Sequence, residues 1–122
     1  MAKPTIRIAI PFPHLPWLSV KVFLFEDKKQ YLYHWERKWC DMRPHYPTAV
    51  THEFNYGKSM EVLMHLPSQE HGQCALSLAH ECVHVVQFID KIIGSQDDEW
   101  DAYNLAYLME TVFKRAPFMR TR

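Results

Sequence analysis

Residues 73–91, QCALSLAHECVHVVQFIDK, carry more structural information than any other part of the chain. Leu76, Leu78, Ala79, Val83, Val85, Val86 and Ile89, continued by Ile92 and Ile93, cover most of the circumference of a helix. The polar residues Gln73, Ser77, His80, Glu81, His84, Gln87 and Lys91 recur at the helical period and line one edge of it. An apolar helix with one polar stripe is expected to be buried and to form the floor of a cleft. On that stripe His80-Glu81-Cys82-Val83-His84 is an H-E-x-x-H pattern. Side chains four apart on a helix lie one above the other, so His80 and His84 can offer two imidazole nitrogens to one ion. Glu81 stands beside them as a carboxylate able to take a proton from water.

Upstream, Pro67 ends the preceding element and Ser68 is the expected N-cap, so the helix is predicted from Ser68 or His71 to Ile93. Downstream, Gly94 is a natural residue to stop it. Ser95, with Asp98 three residues on, resembles a capping box for a second helix reaching Lys114 and Arg115, closed by Pro117. Asp97, Asp98 and Glu99 fall in its first turn, where the helix dipole favours negative charge. One short turn between the two implies an antiparallel pair. The tail, residues 118–122, is expected to be loosely held.

The first half reads as strands. Ile6, Ile8 and Ile10 alternate on one side of a strand over 5–10, and Pro11, Pro13 and Pro16 then impose an irregular loop. Residues 19–25 are β-branched and aromatic, hence strand. After a polar turn at 26–29, the alternation of Tyr31, Tyr33 and Trp35 predicts a returning antiparallel strand over 30–37 and so a hairpin. Residues 38–57, with Pro44, Pro47, Asn55 and Gly57, read as loop. Met60, Val62, Met64 and Leu66 alternate as a further strand. The expected fold is α+β: a small antiparallel sheet packed on two antiparallel helices, one domain over 1–122.

Composition narrows the function classes. The formal net charge is zero over 122 residues, which offers no basic field for nucleic acid. No apolar run is long enough to cross a bilayer and no secretory signal opens the chain, so no membrane is expected as partner. Three cysteines, Cys40, Cys74 and Cys82, give an odd count without C-x-x-C spacing, and a reducing, cytoplasmic setting follows. Cys82 is expected to face the apolar side as a small buried hydrophobe. Oligomeric state has no signature here.

A catalytic zinc takes three protein ligands and leaves a position for water. His80 and His84 are two candidates. Glu99 is the choice for the third, because Ala102 and Ala106 on its face would let the second helix come close to the first. Asp98 is the runner-up, although its position suits a cap, and Asp101 points elsewhere. Tyr103, Tyr107 and His65 are candidates for the donor that would stabilise an oxyanion, and core packing is the plainer role for both tyrosines.

His80-Glu81-Cys82-Val83-His84 followed by Glu99-Trp100-Asp101-Ala102-Tyr103 resembles the gluzincin branch of zinc metallopeptidases, most narrowly the minimal gluzincins and small bacterial or phage metallopeptidase-like proteins. The resemblance covers residues 60–113 and leaves the first fifty-odd without a matching motif. It implies a zincin-like fold with zinc held by His80, His84 and Glu99, and Glu81 as general base activating zinc-bound water. It also implies a peptide or protein substrate in extended conformation, paired along the strand at residues 60–66. The spacing from His84 to Glu99 is shorter than in thermolysin-like enzymes. The alternative is a metallopeptidase-like fold kept as a non-catalytic binding or virion-associated module.

Overall fold

Residues 20–25 and 60–65 are largely apolar runs, and each lies in a strand buried on both faces. The computed structural model describes residues 3–94 and 97–122. Its sheet has four strands, β1 (Ile6–Ile10), β2 (Ser19–Phe25), β3 (Ala49–Phe54) and β4 (Ser59–His65), in the spatial order β1-β2-β4-β3. β1 pairs antiparallel with β2, and β3 antiparallel with β4. The two central strands run parallel, with Val20 opposite Met60 and Leu24 opposite Met64. The architecture is α+β as expected, but the sheet is mixed rather than antiparallel.

The reason lies in residues 28–38. These form helix α1 (Lys28–Tyr33), which continues directly into a π-helical turn (His34–Lys38), where the sequence reading had placed a returning strand. Asp27 caps α1, its carboxylate accepting from Lys29 N at 2.7 Å and Gln30 N at 3.3 Å. The aromatic residues obey a helical period: Tyr31, His34 and Trp35 are buried, while Tyr33 is 40% exposed. With a helix here, β2 cannot turn back on itself. The chain crosses the sheet face and returns as the β3–β4 hairpin, which sets β4 parallel to β2.

The alternating side chains of the central strands thus feed two cores. Val20, Val22 and Leu24 with Met60, Val62 and Met64 face the long helices, and Phe23, Phe25 and Leu63 face Tyr31, Trp35 and Trp39. On this second side the Glu61 carboxylate is directed into the aromatic layer. It accepts from His34 Nε2 at 2.9 Å and Trp39 Nε1 at 2.8 Å. Burial alone would raise the Glu61 carboxyl, but these two bonds together with the charges of His34 and Lys38 more than offset it and hold it below the usual carboxylate range.

The long helices are α2 (Cys74–Ile93) and α3 (Asp98–Arg115). α2 starts later than expected because residues 66–68 form a separate 3-10 turn, in which Ser68 Oγ bonds His65 Nδ1 instead of capping a helix. The first amide of α2, Cys74 N, donates to the Arg122 carbonyl at 3.0 Å. The tail is therefore held, not loose: Met119 is fully buried and the Arg122 guanidinium pairs with Glu26. α2 stops at Gly94 in the left-handed conformation, as expected. The expected Ser95 cap lies outside the described residues. Asp97 caps α3 by accepting from Trp100 N at 3.0 Å. At the β3–β4 turn, Gly57 has φ +84°, which favours glycine, and its missing Cβ leaves the space that Ile92 Cδ1 of α2 occupies against the hairpin tip.

α2 is not buried all round. Leu76 is 62% and Val83 39% exposed beside the polar stripe, while Leu78, Cys82, Val85 and Ile89 fill the core. Across the helix interface Asp90 meets Asp101, with Oδ1 of each shut off from solvent and no donor for it among the described residues. Burial, then the Asp101 carboxylate, with which a protonated Asp90 could share its proton, and the charges of Asp101 and Asp97 push the Asp90 carboxyl up to about 6. The folded state thus holds this proton more tightly than the unfolded chain does. Its contribution is present below about pH 4 and is lost as pH rises through about 6. Asp90→Asn supplies the missing donor without the proton. It is expected to stabilise the fold by about 1–2 kcal/mol at pH 8 and to change little at pH 4, read as Tm at the two pH values.

Candidate metal centre

His80 and His84 are brought together by the helix itself. Their rings meet edge-to-face with centroids 4.8 Å apart, and Nε2 of one lies 3.2 Å from Nε2 of the other. His84 Nδ1 lies 3.1 Å from Gln87 Oε1, one helical turn further along the stripe. Because that oxygen can only accept, the network assigns the His84 proton to Nδ1 and leaves its Nε2 lone pair to accept from His80. An orienting partner on the far ring nitrogen is the arrangement that metal-binding histidines use.

The spacing can be tested against an ion. Tetrahedral zinc with Zn–N bonds of about 2.0–2.1 Å holds two nitrogens about 3.3–3.4 Å apart. The observed 3.2 Å matches that spacing, and zinc would replace the proton that now joins the two Nε2 atoms once the rings turn both lone pairs toward the ion. His80 is exposed and His84 partly so, which leaves an ion accessible from solvent.

Glu81 points to the other side of the stripe, toward the sheet. It is buried, and its Oε1 accepts from Thr51 Oγ1 on β3 at 2.8 Å. The same hydroxyl lies 3.1 Å from the Glu81 carbonyl oxygen. Thr51 was missed because residues 38–57 read as loop. The available signal was the β-branched pair Val50-Thr51 two residues after Thr48 and before the Asn55–Gly57 turn. A groove of about 480 Å³ opens beside these groups, lined by Pro47, Thr48, Ala49, Leu76, Ser77, His80 and Glu81. Its wall on the sheet side is therefore the chain entering β3, not β4. β4 is flanked by β2 and β3, so the expected pairing of a substrate along residues 60–66 has no free edge, whereas β3 is the edge strand on this side of the sheet.

Glu99 is not gathered with the histidines. It is exposed in the first turn of α3, and among the described residues no three His, Cys, Asp or Glu side chains form a metal-sized group. The helix register gives the reason. Asp101 stands level with Asp90, which puts Glu99 about eight residues, or about 12 Å, along the helix axis from His84. Ala102 lines an open pocket with Val83 and Gln87, but Ala102 and Ala106 are both exposed, so the expected close approach of the helices through these two alanines is not what joins them. Asp98 is exposed in the same turn.

None of the expected oxyanion donors lines the groove. Tyr107 donates to the Pro11 carbonyl, Tyr103 is 60% exposed on the far flank of α3, and His65 bonds Ser68 in an adjoining cavity. Cys82 is buried in the core, and burial followed by the Glu81 charge pushes its thiol up to about 12, which makes it an inert hydrophobe. No family model, curated protein or solved structure matches the chain.

Proposed function

We propose that the chain is a zinc-dependent peptidase built on the H-E-x-x-H helix, acting on an extended peptide laid against the β3 edge, with Glu99 outside the coordination sphere that the gluzincin resemblance implied. The observation that carries this reading is the 3.2 Å approach of the two Nε2 atoms, oriented by Gln87, on the helix that also presents Glu81 to the groove. His80 and His84 would hold the ion, and when bound it would acidify water and polarise a substrate carbonyl. Glu81 takes the proton from the attacking water and returns it to the leaving amine. Thr51 Oγ1 holds the Glu81 carboxylate in place by a bond to one oxygen, leaving the other for that proton. The free edge of β3 offers backbone donors and acceptors to an extended chain. Three unpaired cysteines and the absence, among the described residues, of a helix able to cross a membrane support a cytoplasmic protein.

A second reading draws on the missing third side chain: a non-catalytic binding or virion-associated module on the same fold. The test is cleavage of an unstructured protein by the zinc-loaded chain, with zinc affinity measured alongside. Turnover with one zinc per chain supports the peptidase; zinc binding without turnover supports the module. Glu99→Ala is expected to leave zinc affinity within about twofold in the register described. A loss of tenfold or more would put Glu99 back in the coordination sphere and require the first turn of α3 to move toward His84.

A further inference from the structure

A cavity of about 420 Å³ adjoins the groove and shares Pro47 and Thr48 with it, but opens on the face of the sheet that α1 covers. His65, at the end of β4, and Ser68, in the turn that follows, both line it. His65 is 7% exposed and Ser68 is exposed, with Ser68 Oγ in hydrogen-bond contact with His65 Nδ1. The rest of the ring is held as well. The Glu26 backbone carbonyl draws the ring proton, and the Tyr31 ring packs on the imidazole with centroids 5.6 Å apart. With that proton on Nε2, the Nδ1 lone pair accepts from the Ser68 hydroxyl. Burial and then the Lys28 charge hold the imidazole below its ordinary range, so the ring is neutral at pH 7 and able to take a proton. Gln69 fixes the turn, its Nε2 donating to the Thr48 and His65 carbonyls at 3.1 and 3.2 Å. A hydroxyl bonded to an imidazole that a third group orients is the arrangement of an activated nucleophile.

We propose that Ser68 and His65 form a second, metal-independent site that hydrolyses small carboxylic esters, with Ser68 as nucleophile and His65 as its base. Ser68 Oγ attacks the ester carbonyl carbon while its proton passes to His65 Nδ1. The tetrahedral oxyanion collapses, the bond to the alcohol oxygen breaks, and Nδ1 gives the proton to the departing alcohol. Water then attacks the acyl-serine and passes a proton to Nδ1; the carboxylic acid leaves and that proton restores the Ser68 hydroxyl. Lys28 lines the same cavity and brings a positive charge for the oxyanion. Tyr31, Leu32, Pro44 and Tyr46 wall the space for the apolar part of the ester. One cation on a flexible stem, rather than a set of fixed donors, suits an ester with a good leaving group and not a peptide bond. The site rests on neither His80 nor His84.

The experiment exposes the full chain, with a metal chelator present, to p-nitrophenyl acetate and, separately, to an alkyl fluorophosphonate. A phosphonyl group should form on Ser68, located by peptide mass spectrometry, and nitrophenolate release should exceed that of Ser68→Ala by about tenfold or more. Ser68 is exposed, so the alanine variant should fold as the parent does. His65→Gln should slow the modification of Ser68 by about tenfold or more. In the parent its rate should rise with pH and level off above the His65 pKa, which lies below the ordinary 6.5, whereas an unactivated hydroxyl keeps gaining rate as pH rises. That position reflects Lys28 opposed by Glu26 and Asp27, with Glu26 itself paired to Arg122 and His45 lining the same cavity. The proposal is overturned if Ser68 carries no adduct, if Ser68→Ala hydrolyses the ester at the parent's rate, or if the chelator abolishes the activity. A modification rate indifferent to pH and to His65→Gln would overturn it equally.

Discussion

Glu81→Gln is expected to leave the fold and zinc affinity intact and to lower peptide cleavage by about 10²–10⁴-fold. The substitution keeps shape, and Thr51 Oγ1 can still donate to the side-chain oxygen that it meets at 2.8 Å. What disappears is the ability to accept a proton, so the loss should fall on kcat with KM little changed. Glu81 is buried and directed at the groove, which a purely solvating carboxylate would not be. Parallel measurement of zinc affinity and kcat separates the roles. A variant that cleaves within a few-fold of the parent removes Glu81 as the base; one that loses zinc as well makes it a ligand or a structural residue.

Trp35→Ala is expected to destabilise the protein by about 3–5 kcal/mol, against less than about 0.5 kcal/mol for Tyr33→Ala. Trp35 is fully buried and meets Trp39 at 5.1 Å and Tyr46 at 5.2 Å between centroids, with the Arg43 guanidinium 4.7 Å from its ring. Tyr33 is 40% exposed. Denaturant unfolding of the two variants distinguishes the helix from the hairpin suggested by the sequence. In a strand, Tyr31, Tyr33 and Trp35 would share one face and cost alike; in the helix only Tyr31 and Trp35 do.

That contrast shows where sequence reasoning succeeds and where it fails. The long helices were legible because 3.6-residue periodicity, the Gly94 stop and the acidic start of α3 all agree. Residues 28–38 were not, because Tyr31, Tyr33 and Trp35 satisfy a period of two while Tyr31, His34 and Trp35 satisfy a helix, and only burial separates them. β3 was hidden by its flanking prolines and by partly buried residues along its whole length, which leave no clean alternation. The expectation of an all-antiparallel sheet follows from these two misreadings. In the site, His80, Glu81 and His84 are local to one helix, so spacing alone brings them together. Thr51 and the position of Glu99 depend on how β3 and α3 register against α2, which no local pattern encodes.

The most direct test of the metal centre is calorimetric titration of the purified chain with zinc at pH 7.5, repeated at pH 5.5 and with His84→Ala. The parent should bind one zinc per chain. Affinity should weaken steeply at the lower pH, because protons compete for imidazole nitrogen, and should be lost in His84→Ala. No binding at pH 7.5, or binding indifferent both to pH and to His84, would contradict a metal centre built on the His80–His84 pair.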